Sequence, residues 1–239
     1  MPARLSVNVN KVALLRNSRG HNLPDVLQVA LDCVRFGAEG ITVHPRPDQR
    51  HIRPEDVYAL KTQLSVELNV EGYPSADFME LIREVRPAQC TLVPDSPAQL
   101  TSDHGWDCVK QGEFLTPILA QLSEWGVRSS LFVDAEPSLV AAACATGVNC
   151  VELYTGPYAE QYAQNPSAAL QPLIAAGAVV QANGTLLNAG HDLNLNNLTD
   201  LARALPYLQE VSIGHALIAD ALYLGLEETI RQYRRCLQG

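Results

Sequence analysis

The 239-residue chain lacks the features that several common protein classes require. It has no apolar run close to the roughly 18 residues that a membrane span needs, and its first residues lack the apolar stretch of a secretory signal. It carries 17 basic against 26 acidic residues and a net charge of -9, whereas a general nucleic-acid binder needs clustered positive charge. We therefore expect a protein that binds neither membranes nor nucleic acid.

Motifs for metals and for common cofactors are also missing. The six cysteines are scattered without a C-x-x-C pair, and the sequence contains no H-x-H or H-E-x-x-H. No G-x-G-x-x-G indicates a dinucleotide site, and only Lys11 among the three lysines follows a strand-like segment, which disfavours Schiff-base chemistry. We expect reduced cysteines, a cytoplasmic location, no metal and no cofactor.

Short β-branched segments recur along the whole chain, and 47% of its residues are hydrophobic, enough to build a core. Each such segment is followed by a polar turn and, in most cases, by apolar residues at helical spacing. The eight predicted strands, with their downstream turns, cover residues 5–11, 40–46, 66–73, 89–95, 128–136, 149–156, 185–192 and 210–216.

Eight alternations of strand and helix without a flexible linker predict one closed, parallel (β/α)8 barrel over residues 1–239. An open, doubly wound sheet is the alternative. The least certain strand lies between residues 178 and 188, where either AVVQA or TLLNA could form it. We favour TLLNA, because it places a polar residue at the strand end as in the other seven.

Polar residues or glycine occur at the carboxyl end of every predicted strand. In a barrel these ends form one rim, where this fold builds its active sites. Strand ends are often polar in any fold, but three of the six histidines fall at these ends. The residues are Asn8, Asn10, His44, Arg46, Glu71, Asp95, Asp134, Glu152, Thr155, Asn188, His191, Gly214 and His215.

The residue types at these ends fit proton transfer on an anionic substrate. Histidines titrate near neutral pH, and desolvation would raise the pKa of Glu71 toward that of a usable base. NAGHD (188–192) and SIGHA (212–216) should open onto helices and cradle phosphate, because glycine lets backbone N–H groups approach an anion. Residues 1–53 carry a net charge of +4, which suits anion capture or, alternatively, a solvated surface stripe.

Eight strings of the chain resemble the pyridoxine 5'-phosphate synthase family, in the same order and over nearly its whole length. They are VNVNKVALLRNSRG (7–20), FGAEGITVHPRPDQRHI (36–52), LNVEGYP (68–74), LVPDSPAQLTSDHGWD (92–107), SLFVDAE (130–136), VELYTGPYA (151–159), LNAGHDLN (187–194) and VSIGHALIADAL (211–222). The resemblance implies a (β/α)8 barrel with additional helices that assembles into a homo-oligomer, an octamer.

The resemblance also implies an activity and a set of site residues. Family members condense 1-deoxy-D-xylulose 5-phosphate with 3-amino-2-oxopropyl phosphate to pyridoxine 5'-phosphate, releasing phosphate and water without an organic cofactor. His44 and Glu71 match proton acceptors, His191 matches a proton donor, and Glu152 has a possible supporting role. Substrate-contacting positions are matched by Asn8, Asn10, Lys11, Arg19, Arg46, His51, Thr101, Asp192, Gly214 and His215.

Three positions depart from the family pattern. Asn10 and Lys11 stand where the family commonly has Asp-His, and Asp192 stands where a glycine commonly follows the NAGH histidine. Lys11 should attract phosphate, while Asp192 would repel it unless it turns outward as a helix N-cap. Two alternatives therefore stay open, namely another enzyme of phosphorylated sugars on the same barrel and a phosphate-binding homologue without turnover.

Overall fold

A computed structural model describes residues 2–95, 99 and 101–238 of the chain. Residues 96–98 and 100, which belong to the fourth of the resemblance strings, lie outside the described residues. Eight parallel strands close into a barrel in chain order. They are β1 (Arg4–Asn8), β2 (Gly40–Val43), β3 (Glu67–Gly72), β4 (Gln89–Leu92), β5 (Arg128–Asp134), β6 (Cys150–Tyr154), β7 (Leu186–Gly190) and β8 (Leu208–Ile213).

The pairing of the first strand with the last decides between the two predicted architectures. Strand β1 pairs in parallel with β2 on one side and with β8 on the other, so the sheet has no edge. This confirms the barrel and excludes the open sheet. The seventh strand contains TLLNA residues as predicted, whereas AVVQA belongs to the preceding helix.

Helices surround the barrel, and the described part of the chain contains more of them than the eight strands require. The units after β1, β6 and β8 each contain two helices, which confirms the additional helices. The helices are α1 (Asn10–Asn17), α2 (Val26–Arg35), α3 (Pro54–Gln63), α4 (Ala76–Val85), α5 (Cys108–Glu124), α6 (Pro137–Ala145), α7 (Gly156–Tyr162), α8 (Pro166–Ala182), α9 (Leu198–Ala204), α10 (His215–Leu224) and α11 (Leu226–Gln238).

Local chemistry explains where several of these helices begin. Helices α3, α6 and α8 start with proline, whose fixed φ suits the first turn and whose missing N–H needs no partner there. Asp25 and Ser75 cap α2 and α4 through their side-chain oxygens. Apolar side chains then pack between the helices and the outer face of the barrel, and Leu60, Ile82, Leu122 and Val140 are fully buried there.

The interior of the barrel is polar. Ser6 and Thr42 share a hydrogen bond of 2.7 Å between their hydroxyl oxygens, and Thr91 donates to Asn69 at 3.0 Å. At the amino end of the strands, Glu67 pairs with both Arg4 and Arg128. Hydroxyls and amides thus lie below the rim, where barrels of this type are more often filled by branched apolar residues.

All six cysteines are free thiols, as expected. Within residues 2–95, 99 and 101–238, no helix is long and apolar enough to cross a membrane.

Candidate active site

The loops after β1 and β2 are held together at the carboxyl rim by two asparagines. The Asn8 side-chain oxygen accepts a hydrogen bond from the Asn10 backbone N–H at 3.0 Å. The Asn10 side-chain oxygen accepts one from the backbone N–H of His44 at 2.9 Å. The amide at position 10 therefore positions the segment that carries His44, a role that needs no charge.

Arg46 and Asp95 form a buried ion pair that joins the second and fourth loops. The Arg46 guanidinium donates to an Asp95 carboxylate oxygen and to the carbonyl of Gln99, the latter at 3.2 Å. Ser102 donates to the same Asp95 oxygen at 2.6 Å. The other oxygen, Oδ1, is buried without a hydrogen-bond partner among the described residues, so this ion pair retains a free acceptor.

His44 and His51 lie beside these cations with their ring centroids 6.3 Å apart. Burial and the positive charge of Arg46 hold the pKa of His44 well below its usual value. The same causes lower the pKa of His51 to about 4. His51 Nδ1 accepts a hydrogen bond from the Ile52 backbone N–H at 2.9 Å, so the proton of the neutral ring lies on Nε2. Both imidazoles are therefore neutral at physiological pH.

Three carboxyl groups lie at different depths in the barrel. Glu71 is at the rim, Glu152 is below it, and Glu210 pairs with Arg4. Burial raises the pKa of Glu71 well above its usual value, the charges of Glu152 and Asp95 add to the rise, and Arg46 opposes it. Burial together with Glu210 raises the pKa of Glu152 to about 8. Burial also raises the pKa of Glu210 to about 7, against the charge of Arg4. Burial thus favours the protonated form of Glu71.

His191 stands on a turn with left-handed backbone at the end of β7. Its φ is 87° and that of Asp192 is 59°. The Thr155 hydroxyl donates to the Gly190 carbonyl at 2.7 Å and also to the His191 carbonyl, which holds the turn. The imidazole contacts the Tyr154 ring edge-on, with centroids 5.2 Å apart.

Both ring nitrogens of His191 have hydrogen-bond partners. The Nδ1 atom lies 2.8 Å from Asp192 Oδ2, and Nε2 lies 3.1 Å from the Thr101 hydroxyl oxygen. The structure therefore brings Thr101 and His191, 90 positions apart in the chain, into direct contact.

Two expectations about NAGHD are wrong. Asp192 is not a helix N-cap, because its carboxylate binds His191 and α9 begins only at Leu198 after Asn197. For the same reason this Gly-His pair opens onto a loop rather than onto a helix. The Asp192 carbonyl accepts from Asn194 at 3.3 Å, so the asparagine-rich loop folds back on this turn.

The second Gly-His pair does open onto a helix, as predicted. Gly214 is the N-cap of α10, and His215 is the first helical residue. A Cβ atom on Gly214 would lie 3.1 Å from the Asn8 Cβ, so the absent side chain lets β1 and β8 approach closely at the rim.

The basic residues of the first loop differ in their relation to the site. Lys11 lies exposed on the first turn of α1, and its charge contributes to the lowered pKa of both His51 and Asp192. Arg19 lies exposed beyond the end of α1. Asn17, two residues earlier, donates to the His51 carbonyl at 2.8 Å, which connects this end of the helix to the site.

A cavity of about 430 Å³ opens beside the site, a size suited to a small phosphorylated molecule. Its lining includes the buried side chains of Arg46, His44 and Asp95 and the exposed side chains of Tyr58 and Tyr73. In the part of the chain that the structure describes, no group of three or more histidine, cysteine, aspartate or glutamate side chains is arranged to hold a metal ion.

The prediction from the sequence missed three side chains that act on the predicted site residues. Asp95 was recognised at a strand end without a role, yet it binds Arg46. Arg50 belongs to the basic segment, and its charge helps to keep His44 neutral. Tyr154 packs on His191 from the adjacent strand β6. Of these three relations to the site, the sequence indicated only that Asp95 lies at a strand end and that Arg50 belongs to the basic segment.

A (β/α)8 barrel with titratable groups and arginines at its carboxyl rim has the architecture of a barrel enzyme, whose active site lies at that rim. A family model described as "Pyridoxal phosphate biosynthesis protein PdxJ" matches residues 5–239. A pyridoxine 5'-phosphate synthase of Porphyromonas gingivalis is 59% identical over 97% of this chain and 97% of its own length. The corresponding protein of Bacteroides thetaiotaomicron is 55% identical over 98% of this chain and 99% of its own. The chain therefore belongs to the PdxJ family of pyridoxine 5'-phosphate synthases.

Solved structures of other families share the barrel at low sequence identity. Tryptophan synthase from Mycobacterium tuberculosis aligns with a TM-score of 0.67 and 14% identity, covering 100% of this chain and 94% of that one. Phosphoribosylanthranilate isomerase from Thermotoga maritima aligns with a TM-score of 0.62 and 12% identity, covering 99% of each chain. These similarities support the fold alone.

Proposed function

We propose that this synthase condenses 1-deoxy-D-xylulose 5-phosphate with 3-amino-2-oxopropyl phosphate at the described rim, releasing inorganic phosphate and water as the pyridine ring closes. The observation that carries the proposal is the pairing of neutral imidazoles with fixed cations. Arg46, Arg50 and Lys11 supply positive charge for phosphate, and two of these charges, with burial, keep His44 unprotonated.

The roles of the acid-base residues follow from their surroundings. His44 accepts a proton, because its neutral form is favoured at working pH. Glu71 serves as a second base and holds the proton it receives, because burial favours its neutral form. His191 donates a proton, with its ring held edge-on against Tyr154. Glu152, below the rim, supports Glu71 as a neighbouring carboxyl group that burial and Glu210 keep largely protonated.

The substrate contacts divide between the two ends of the rim. Arg46 and His51 bind the phosphate of the deoxyxylulose, with His51 donating from Nε2. Asn8 contacts the amino ketone, Arg19 contributes a substrate contact, and the Gly214–His215 turn at the start of α10 receives a phosphate group. Thr101, Asn10 and Lys11 complete the contacts. Holding both dianions on one rim converts their encounter into an effectively intramolecular reaction.

The test is to mix the purified protein with both substrates and to measure pyridoxine 5'-phosphate and inorganic phosphate. Both products should form together, and neither should form when one substrate is omitted. His44→Asn, Glu71→Gln and His191→Asn should each lower kcat by roughly 10²- to 10⁴-fold, the range for a positioned proton-transfer group. His104→Asn is the matched control, because its side chain is 54% exposed. Wild-type turnover in any of the three variants refutes the role of that residue.

We further infer a homo-oligomer in the cytoplasm. Large apolar side chains are exposed on α1 and α10, which contact each other, and Leu15, Leu222 and Tyr223 are 58%, 77% and 91% exposed. Such side chains are commonly covered at subunit contacts. Light scattering of the purified protein should give a mass several times 26.0 kDa, and a monomer would refute the inference. Six free thiols support the cytoplasmic location, which cell fractionation can test.

A further inference from the structure

We propose that Asp192 is a positioning residue that sets the tautomer and orientation of the His191 imidazole. The inference rests on the proposed proton-donor role of His191, and it adds a residue that acts through that histidine rather than on the substrate.

The two side chains meet on an unusual backbone. Neighbouring residues of an extended strand point to opposite faces, so residues 191 and 192 would not normally contact each other. Here both have positive φ, 87° at His191 and 59° at Asp192. Residues other than glycine adopt this region at a cost, and such residues concentrate at functional sites. The turn places Asp192 Oδ2 2.8 Å from His191 Nδ1.

The direction of this hydrogen bond is determined by the chemistry of the carboxylate. The hydrogen bond with His191, assisted by the positive charge of Lys11, lowers the pKa of Asp192. The ionised carboxylate can only accept, so Nδ1 carries a proton. Nε2 is then the atom that takes up a proton to form the imidazolium, which the carboxylate stabilises, and that donates this proton in turn. It lies 3.1 Å from the Thr101 hydroxyl oxygen.

Three side chains hold the His191 ring in place, and Asp192 is the charged residue among them. Tyr154 packs edge-on against the imidazole at 5.2 Å, and Thr101 lies at Nε2. The side chains of His191 and Asp192 are 23% and 45% exposed, and exposed ion pairs contribute little to folding stability. Removing the carboxylate should therefore change the orientation and protonation of the ring without unfolding the protein.

The substitution Asp192→Asn tests this, because asparagine keeps the shape and tolerates positive φ. Its amide can donate to Nδ1 and thereby favour the opposite tautomer, and it does not stabilise the imidazolium from which Nε2 donates as the carboxylate does. We expect kcat to fall roughly 10- to 100-fold, part of the 10²- to 10⁴-fold that a positioned acid supplies, with KM within threefold of wild type. The ¹⁵N chemical shifts of the His191 ring should report Nδ1–H in the wild type and a mixture of tautomers in the variant.

A second variant and a matched control accompany this test. Asp192→Gly suits the backbone and removes the acceptor altogether, so its kcat should be no higher than that of Asp192→Asn. The control is Asp103→Asn, because Asp103 bonds the ring of its neighbour His104 at 2.6 Å in a more exposed pair. It removes one charge and one His–Asp pair, and its kcat should stay within twofold of wild type.

The outcomes separate this inference from the proposed function. His191→Asn and the double variant His191→Asn/Asp192→Asn should be equally impaired, because Asp192 acts through His191. Wild-type turnover of His191→Asn would refute the proton-donor role itself. An impaired His191→Asn together with a wild-type kcat in either Asp192 variant would overturn the positioning role alone. An unchanged tautomer in Asp192→Asn, or a lower KM at constant kcat, would also overturn it, the latter by assigning to Asp192 only repulsion of phosphate.

Discussion

Replacing Glu152 with glutamine should make the folded protein less sensitive to alkaline pH. Glu152 is 3% exposed in the barrel, and burial together with the nearby Glu210 raises its pKa from 4.5 to about 8. Folding therefore favours the protonated carboxyl group. Glutamine has nearly the same shape and cannot ionise, so it removes this proton linkage while it keeps a polar side chain in the same place.

The magnitude follows from the two pKa values. Because the folded-state pKa is raised, the stabilising contribution is complete below pH 4.5 and disappears as the pH rises through about 8. Each pH unit between these values is worth about 1.4 kcal/mol, so the whole contribution is about 5 kcal/mol. At pH 6 about 3 kcal/mol of it remains, and at pH 9 almost none does.

The assay is denaturant unfolding of the wild type and Glu152→Gln at pH 6 and pH 9. Between these pH values the wild type should lose about 3 kcal/mol more unfolding free energy than the variant does. Glu210 titrates in the same range and its charge acts on Glu152, so the difference between the two proteins reports the titration of the coupled carboxyl groups that Glu152 belongs to. Glu113→Gln, on the exposed face of α5, is the control and should follow the wild type. Equal losses in the wild type and Glu152→Gln would refute the raised pKa.

Three further substitutions test the rim. Asp95→Asn should destabilise the protein by about 3 kcal/mol in thermal unfolding, because it leaves the buried Arg46 charge without its partner; an unchanged Tm would contradict this. Gly214→Ala should raise KM for the phosphorylated substrates several-fold in steady-state kinetics, since its Cβ would crowd Asn8 at 3.1 Å; an unchanged KM would argue against a phosphate site there. Thr155→Val removes the hydroxyl that holds the turn carrying His191, so kcat should fall. The free energy of unfolding should fall by only about 1 kcal/mol, the usual contribution of one hydrogen bond. An unchanged kcat would contradict this role of the turn.

The barrel was predictable because its signals are local and repeated. Each strand is recognisable in the sequence as a short apolar run with a polar end, as in GITVHPR. Parallel pairing then places the carboxyl ends of all the strands on one rim. Even the uncertain seventh strand could be assigned from its polar ending. The identity of the rim residues therefore followed from the sequence pattern together with the topology.

The contacts within the rim were not predictable, because they depend on long-range geometry or on a rare backbone conformation. Arg46 and Asp95 are 49 positions apart, and no local pattern links them. Asp192 was expected to cap a helix, since aspartate commonly does so where a loop meets a helix. The actual turn has two consecutive non-glycine residues at positive φ, which no propensity argument favours, and α9 starts only at Leu198.

The cations at the rim control the proton affinity of the neighbouring imidazoles. Arg46 and Arg50 lower the proton affinity of His44 and His51, and Lys11 adds to this effect at His51. In the proposed mechanism, a phosphate dianion held by these cations would offset their charge and so raise the proton affinity of the adjacent imidazoles. Binding of the phosphorylated substrate would then make His44 a stronger base, which would couple substrate binding to proton abstraction through the same few cations.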